Sequence, residues 1–317
     1  MDIYFAPLQG FTEDIYRRLH HKLVGGVAQY YSPFVRLEHG GVRSKDARDV
    51  RLEFNLDVPF TPQVIAKDVH EFKVLVDYLV ALGYRQIDLN MGCPFPLQAR
   101  HGRGSGLLQN PEQVKDILGC MHSYPEVTFS VKMRLGQESM DEGLKILTLL
   151  NDAPLSQITL HPRLGNQQYK GEVDLEGFAH FAEMIKHPLV YNGDLRTPED
   201  IQRIAHDFPN LKGVMIGRGL LARPSLAVEY QEGEAWSAQQ RVRLISNIHE
   251  HYHEHLADII PGEGQLLTKL QSFWEYMDED LLGRKALKKV RKAGNMKNYL
   301  AAVRELELRD ERLEFRV

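Results

Sequence analysis

The chain has 317 residues, of which 43% are hydrophobic and 26% charged, and its formal net charge is -4. This composition is typical of a globular protein with a sizeable core, and it excludes a disordered chain, a collagen and a disulfide scaffold. The charge excludes nucleic-acid binding through the whole surface but allows a local basic patch. Two cysteines, Cys93 and Cys120, favour a reducing, cytoplasmic location. No signal-peptide pattern or membrane-spanning run is present, so we expect no membrane association.

Short runs rich in β-branched and aromatic residues alternate with helical segments up to about Leu221. The predicted strands are Ile3–Pro7, Val27–Val35, Phe60–Ala66, Gln86–Gly92, Thr128–Leu135, Ser156–Arg163, Leu189–Asp194 and Gly213–Arg218. The alternation is typical of βα units and a parallel sheet. Eight such units predict an α/β fold, a closed (β/α)8 TIM barrel. An open doubly wound sheet is the alternative, because a strand count does not establish closure.

Helices are predicted between the strands. Thr12–Leu23 begins with a threonine N-cap followed by acidic residues, which suit the positive end of the helix dipole. His70–Leu82 places apolar residues at three-to-four spacing, and Pro111 and Thr197 mark the start of two further helices. The segment Arg36–Val58 is polar and poorly periodic, so we predict a short or irregular helix there.

The pattern changes after Pro224. Gln231–Ser237 is typical of a polar linker, and no strand pattern recurs beyond it. The helices predicted in this part are Gln239–Leu256, Gln265–Tyr276 and Leu281–Leu306. We therefore predict two domains, a barrel over residues 1–230 and a small all-helical domain over residues 240–317.

The carboxyl ends of the predicted strands carry polar groups and glycines. In a TIM barrel these ends meet at one mouth, where the chemistry takes place. In chain order they carry Pro7-Leu8-Gln9, Gln63, Asn90, Lys132, Arg134, His161, Arg163, Asn192-Gly193-Asp194 and Gly217-Arg218-Gly219. The last two turns follow strands seven and eight, the usual place for a phosphate, and Arg218 adds a positive charge. The alternative is that these glycines only form tight turns.

Cys93 follows the fourth predicted strand and precedes a glycine-rich segment. Such a loop can be mobile and fold over a ligand. A cysteine thiol has an ordinary pKa of about 8.5, so it is mainly protonated at neutral pH and can donate a proton. Cys120, in contrast, lies on the apolar face of a predicted helix and is expected to pack in the core. Cys93 is therefore the candidate catalytic residue.

A set of motifs, taken together and in order, resembles the FMN-dependent tRNA-dihydrouridine synthase family. The motifs are Ala6-Pro7, Asn90-x-Gly92-Cys93-Pro94, Gly104-Ser105-Gly106-Leu107-Leu108, Lys132-x-Arg134, His161-x-Arg163, Asn192-Gly193-Asp194 and Gly217-Arg218-Gly219. The resemblance covers most of residues 1–225. The chain departs from the family pattern at Leu8, Glu13 and Pro162, where methionine, aspartate and glycine are usual.

The resemblance implies that the enzyme reduces the uracil 5,6 double bond of specific tRNA uridines to dihydrouridine. NADPH or NADH is the expected reductant, FMN passes a hydride to C6, and Cys93 passes a proton to C5. Nothing in the sequence indicates an obligate protein partner. A small-molecule flavin reductase of the same barrel type and an RNA-binding barrel without catalysis are the alternatives.

The expected roles of the strand-end residues follow from the same resemblance and from their chemistry. The FMN phosphate is expected at Asn192, Gly193, Asp194, Gly217 and Arg218. Lys132 is expected at the pyrimidine edge of the flavin, where reduction places negative charge. The other residues expected to bind the cofactor are Gln63, His161, Pro7, Leu8 and Gln9. Those expected to bind the substrate are Asn90, Arg134 and Arg163.

A basic run extends from Leu281 to Arg304 and contains no acidic residue. Four of its lysines recur at three-to-four spacing and are predicted to share one helix face: Lys285, Lys288, Lys289 and Lys292. We expect them to contact the phosphates of tRNA. The alternative is an ordinary solvated lysine-rich face.

Two further patterns are interpreted as coincidental. His249-Glu250-His251-Tyr252-His253 satisfies a zinc-protease signature, but it follows a complete barrel and lacks the downstream extension. We expect no metal there, and predict a histidine cluster that faces solvent or RNA. Gly217-x-Gly219 matches a dinucleotide fingerprint only loosely and lies after the last strand rather than an early one.

Overall fold

The computed structural model describes residues 1–307. Eleven strands form within these residues: β1 Asp2–Phe5, β2 Gln29–Tyr31, β3 Leu37–Glu38, β4 Gly41–Val42, β5 Phe60–Thr61, β6 Gln63–Val64, β7 Gln86–Met91, β8 Thr128–Gly136, β9 Leu155–Leu164, β10 Leu189–Tyr191 and β11 Gly213–Ile216. Strands β3 and β4 form a separate antiparallel hairpin, and the other nine belong to one parallel sheet. Most strands are shorter than predicted, because the residues at their carboxyl ends turn into the loops of the mouth.

The parallel sheet closes into a barrel. Strand β1 pairs with β2 on one side and with β11 on the other. The sheet order ends with β5 and β6, which are two halves of one predicted strand separated by Pro62. Because β5 pairs with β2 and β6 pairs with β7, the two ends meet in this interrupted strand. The eight-unit barrel is confirmed, and the alternative of an open doubly wound sheet is wrong.

Side chains of β1 alternate between two apolar clusters. Ile3 and Phe5 pack in the large core between the strands and the surrounding helices. Tyr4 and Ala6 belong to a second, small cluster that includes Tyr31. Successive residues of a strand point to opposite faces of a sheet, so the small cluster lies inside the barrel. The inward positions of later strands carry polar side chains that form the site.

Fifteen α-helices are formed within residues 1–307. They are α1 Asp14–Leu23, α2 Ser44–Asp49, α3 Val69–Ala81, α4 Pro96–Arg100, α5 Pro111–Met121, α6 Met140–Leu150, α7 Leu175–Met184, α8 Pro198–Asp207, α9 Arg218–Ala222, α10 Leu226–Glu232, α11 Ala238–Ile259, α12 Glu263–Phe273, α13 Glu279–Leu282, α14 Arg284–Arg291 and α15 Met296–Glu307. Helix α1 begins later than predicted, with Glu13 as its N-cap. The Thr12 hydroxyl instead accepts a hydrogen bond from the Leu8 N–H at 2.8 Å. No helix in this part of the chain is long and apolar enough to cross a membrane.

The predicted helix Leu281–Leu306 is wrong as one continuous element. Its residues form the end of α13, then α14 and α15. Gly283 has a φ of +84°, a left-handed conformation that favours glycine, and it separates the first two helices. The last residues of the predicted helical domain, 308–317, lie outside the described residues. The division into domains at residues 1–230 and 240–317 stays a prediction.

The helical region packs against the loop that follows β1. The Lys269 ammonium donates to the Gly10 carbonyl at 2.8 Å and to the Glu13 carboxylate at 2.6 Å. The ring of Tyr276 meets that of Phe11, with 4.8 Å between their centroids. The helices therefore hold the same loop that carries Pro7, Leu8 and Gln9 to the mouth.

Candidate active site

A cavity of about 260 Å³ opens at the carboxyl ends of the barrel strands. Most of the strand-end residues singled out in the sequence line it. They are Pro7, Leu8, Gln9, Gln63, Asn90, Cys93, Lys132, Arg134, His161, Asn192, Gly193, Asp194, Gly217 and Arg218. Arg163 is not among the lining residues, and the lysines of α14 belong to a different part of the molecule. The structure thus brings together residues from all parts of the barrel sequence.

A chain of hydrogen bonds runs from the barrel interior to Cys93. The Asp88 carboxylate accepts from Gln63 Nε2 at 2.7 Å, and Gln63 Oε1 accepts from Asn90 Nδ2 at 2.7 Å. Asn90 Oδ1 then accepts from the backbone N–H of Gly92 at 3.1 Å and of Cys93 at 2.8 Å. The Asn90 carboxamide oxygen is therefore occupied by the protein, which leaves less of this side chain for a substrate than the sequence suggested.

Lys132 is a cation without a partner in this cavity. Its ammonium makes no hydrogen bond or ion pair with any residue between 1 and 307. Burial and then the positive charge of Arg134 lower the pKa of Lys132 to about 8, although the nearby Asp88 acts in the opposite direction. A desolvated ammonium in this position favours a ligand that brings negative charge to it.

Cys93 lies where a packed loop begins. Burial raises the pKa of its thiol above the ordinary value, so the group is protonated at neutral pH. The Cys93 carbonyl accepts from the Ser105 N–H at 3.1 Å and from its hydroxyl at 2.9 Å. Ser105 and Leu107 are fully buried, and Arg103 is paired with Glu71 at 2.9 Å. The segment from Arg103 to Leu107 is therefore closely packed, whereas Phe95 and Leu97 are exposed, and the expected mobility of this loop stays a prediction.

The two glycine-containing turns approach each other at the far side of the cavity. A Cβ on Gly193 would lie 2.7 Å from Tyr191 Oη, and a Cβ on Gly217 would lie 2.9 Å from Leu8 Cδ1. A side chain at either point would require these neighbouring side chains to move. The Arg218 guanidinium pairs with Asp194 at 2.6 Å and is about a third exposed. This end of the cavity presents backbone and the Arg218 guanidinium, groups that bind a phosphate, together with the Asp194 carboxylate that pairs with Arg218.

Arg134 and Arg163 are used largely by the protein itself. Arg134 donates to the Gly92 carbonyl at 2.9 Å and to the Gln168 carbonyl at 2.7 Å, and burial lowers its pKa to about 10. Arg163 is buried and pairs with Asp194. Arg163 therefore supports the turn that carries Asp194, and its expected contact with the substrate stays a prediction.

His161 is a neutral hydrogen-bonding group. Its Nδ1 lies 2.5 Å from the Asn192 carbonyl, so that nitrogen carries the proton and Nε2 is an acceptor. Burial, followed by the positive charge of Arg134, lowers the pKa of His161 well below its usual value. Arg163 Nη1 lies 3.4 Å from Nε2, a long contact that occupies this nitrogen only weakly, and the imidazole carries no charge.

The sequence interpretation missed several aromatic residues around the mouth. Phe34 and Tyr276 line the cavity, and Tyr169, on the loop after β9, lies with its ring 4.7 Å from the Arg218 guanidinium carbon. Tyr169 is 53% exposed, which is unusual for a large aromatic side chain. An aromatic residue within an otherwise polar loop was the available signal for Tyr169. Phe34 and Tyr276 reach the mouth only through tertiary packing.

The predicted basic face is formed by α14 and the residue that follows it. Its exposed lysines are Lys285, Lys288, Lys289 and Lys292. We expected no acidic residue to offset their charge, but Lys289 pairs with Glu305 at 2.7 Å. Glu305 lies one residue beyond the basic run that the sequence interpretation considered.

The histidine pattern of α11 is mainly structural. His249 is buried, and its Nε2 lies 2.6 Å from the Tyr299 hydroxyl. Burial lowers the pKa of His249 to about 3. Within residues 1–307 no three potential metal-binding side chains come together. The prediction that this cluster faces solvent or RNA is wrong for His249.

Comparison with known proteins identifies the family. A family model described as dihydrouridine synthase matches residues 4–313. The chain belongs to the dihydrouridine synthase family.

Individual relatives agree with this. The chain is 31% identical over 245 residues to a tRNA-dihydrouridine(16) synthase of Pseudomonas syringae pv. tomato, covering 74% of this chain and 77% of the relative. It is 32% identical over 173 residues to a tRNA-dihydrouridine(47) synthase [NAD(P)(+)]-like protein of Xenopus tropicalis, covering 53% of this chain and 27% of the relative. Among solved structures, morphinone reductase in complex with tetrahydroNAD has a TM-score of 0.53 and 9% identity, over 74% of this chain and 87% of that one. This last likeness concerns the barrel fold alone.

Proposed function

We propose that the protein is an FMN-dependent enzyme that reduces uridines of tRNA to dihydrouridine, with NADPH or NADH as the reductant. Family membership and the names of the relatives support the reaction and the tRNA substrate. The observation that carries the proposal is the cavity itself. A protonated Cys93, a partnerless Lys132 and the two glycine turns all border one space at the carboxyl ends of the barrel.

The residues present fit an FMN molecule. The turn Asn192-Gly193-Asp194 and the segment Gly217-Arg218 would hold the phosphate, because they line the cavity and combine backbone with a guanidinium. Pro7, Leu8 and Gln9 would line the flavin ring, and Gln63 and His161 would hydrogen-bond its polar groups. Lys132 would lie at the pyrimidine edge, where its ammonium, which has no hydrogen-bond partner among residues 1–307, matches an electron-rich group.

Bound FMN would supply the hydride that C6 of uracil receives. The protein must then protonate C5, and Cys93 is placed to hold that proton. Its raised pKa keeps the thiol neutral until the carbon becomes basic, and Asn90 fixes the backbone from which the thiol extends. Arg134 holds the Gly92 carbonyl from the other side, so the loop begins at a fixed position.

The substrate uridine must leave its base stack to reach this cavity. The exposed lysines of α14 would bind the tRNA backbone, and Tyr276 shows that the helical region reaches the rim of the mouth. We assign catalysis to the barrel domain, residues 1–230, and RNA binding to the helical domain, residues 240–317. The reduction of a small molecule would not explain the exposed lysines of α14.

The proposal is tested by purifying the protein and recording its absorption spectrum, then incubating it with NADPH and tRNA that lacks dihydrouridine. A flavin spectrum and formation of dihydrouridine are expected, and position 16 is the first to map because the Pseudomonas relative carries that number in its name. A flavoprotein that reduced only small molecules would contradict the tRNA assignment. Protein that bound tRNA but no flavin would indicate a binding module without catalysis.

A further inference from the structure

We infer that Asp88 is a positioning residue, which fixes the orientation of the Gln63 and Asn90 carboxamides and thereby the start of the Cys93 loop. The inference deepens the proposed function and rests on it. Asp88 lies fully buried on β7 and does not line the cavity. Its charge acts on Lys132 at a distance, and its hydrogen bond to the cavity lining runs through Gln63.

The chain of hydrogen bonds from Asp88 to Cys93 has a fixed polarity. A carboxamide can be turned by half a rotation, which exchanges its donor and acceptor ends. At the upper end two backbone N–H groups, those of Gly92 and Cys93, require an acceptor, so Asn90 must present its oxygen there. Its NH₂ group then donates to Gln63 Oε1, which leaves the Gln63 NH₂ group directed at Asp88.

The lower end of this chain needs a group that only accepts. Asp88 meets that need, because an ionised carboxylate has no proton to donate. Burial raises the pKa of Asp88 to about 6 against the opposing effect of its hydrogen bonds from Ser130 and Gln63, and at neutral pH the ionised form is the main one. The Ser130 hydroxyl donates to its second oxygen at 2.5 Å. Both ends therefore require the same polarity, and no group in between is free to turn.

This polarity matters at the cavity. Gln63 is expected to bind the flavin, and a turned carboxamide would exchange the donor and acceptor it offers. Asn90 holds the N–H of Cys93, so a break between Gln63 and Asn90 would loosen the residue that carries the thiol. Removal of the Asp88 acceptor would thus affect both the flavin contact of Gln63 and the position of Cys93.

The test compares two substitutions of Asp88. Asp88→Leu leaves a buried Gln63 N–H without an acceptor, whereas Asp88→Asn can offer its oxygen to Gln63 and its NH₂ group to the Ser130 oxygen. Thr159→Val is the matched control, because Thr159 is buried in the barrel and its hydroxyl has no partner within residues 1–307. Thermal unfolding checks that each variant is folded, and Asp88→Ala replaces Asp88→Leu if the latter is not.

Two measurements are made on FMN-free protein. The first is the Kd for added FMN, which we expect Asp88→Leu to raise about tenfold, the effect of a lost hydrogen bond in a buried site. The second is the rate at which iodoacetamide alkylates Cys93, with Cys120 as the internal reference. Weaker hydrogen bonding of the Cys93 backbone should accelerate alkylation of Cys93 about fivefold. The alkylation rate of Cys120 should stay unchanged. Asp88→Asn should stay within about threefold of the wild type in both measurements, since its hydrogen bonds can be retained.

A double-mutant cycle separates positioning from general damage. If Asp88 acts through Gln63, Gln63→Leu combined with Asp88→Leu should bind FMN no more weakly than Gln63→Leu alone. Additive losses, or an Asp88→Asn variant as impaired as Asp88→Leu, would overturn the positioning role. So would wild-type behaviour of Asp88→Leu in both measurements. Wild-type protein that bound no FMN would overturn the proposed function, and the alkylation rates would still decide the role of Asp88.

Discussion

Substitution of Gly104 should have a large effect, because this residue combines a left-handed backbone conformation with close contact to Cys93. Its φ is +58°, and a Cβ there would lie 2.6 Å from the Cys93 carbonyl oxygen and 2.8 Å from Cys93 Cβ. Gly104→Ala therefore adds the cost of a left-handed alanine, about 1–2 kcal/mol, and overpacking against the Cys93 backbone, about 1–3 kcal/mol. Gly40→Ala is the matched control, since Gly40 has a φ of +80° with nothing within 4 Å of the added Cβ.

The predicted effect on catalysis exceeds the effect on stability. Relief of the 2.6 Å contact requires Cys93 to move by a large fraction of an ångström, and a misplacement of about 1 Å costs about 100-fold in rate. Gly104→Ala should thus lower kcat for dihydrouridine formation about 100-fold and retain FMN. The assays are steady-state tRNA reduction, flavin content and thermal unfolding. Equal kcat values for Gly104→Ala and Gly40→Ala would refute the reasoning that Cys93 position is set by this contact.

Three further predictions follow from the site. Cys93→Ala should bind FMN and be reduced by NADPH at the wild-type rate, with dihydrouridine formation falling at least about 100-fold as general acid catalysis is lost; Cys120→Ala should retain turnover, and equal tRNA reduction by both variants would exclude the thiol. FMN affinity, measured by fluorescence titration, should fall as the pH rises through about 8, because Lys132 deprotonates above its pKa and binding must then take up a proton. Lys132→Met should bind FMN weakly at every pH, and its affinity should no longer change as the pH rises through this range. If the variant kept the wild-type pH profile, the titration would belong to another group. Charge reversal of the α14 lysines should weaken tRNA binding in filter assays and flatten its salt dependence at constant flavin content, whereas unchanged affinity would move the RNA surface elsewhere; the residues to reverse are Lys285, Lys288, Lys289 and Lys292.

Local sequence signals predicted the barrel well, because each buried parallel strand is a short run of apolar residues between turns. They could not show that the third strand is interrupted at Pro62, where β5 pairs with one neighbour and β6 with the other. The helical region was predicted less well. Its periodicity continues across Gly283, and only the backbone conformation shows that α13 ends there.

The mouth of the cavity could be anticipated for a geometric reason. The carboxyl ends of parallel strands meet at one edge, so residues such as Lys132 and Asn192 were expected together from their positions alone. Residues that reach the mouth from loops or from the helical region, such as Phe34 and Tyr276, carry no such signal. The hydrogen bonds of Asp88 are likewise invisible in the sequence, because they join side chains of separate strands.

The central claim is that this cavity reduces uridine in tRNA. The most direct measurement is mass spectrometry of nucleosides from dihydrouridine-free tRNA after incubation with the wild-type protein, FMN and NADPH. We expect uridine to be converted to a nucleoside heavier by two hydrogen atoms, at defined positions of the tRNA. A yellow protein that oxidised NADPH and left every uridine of the tRNA unchanged would contradict it.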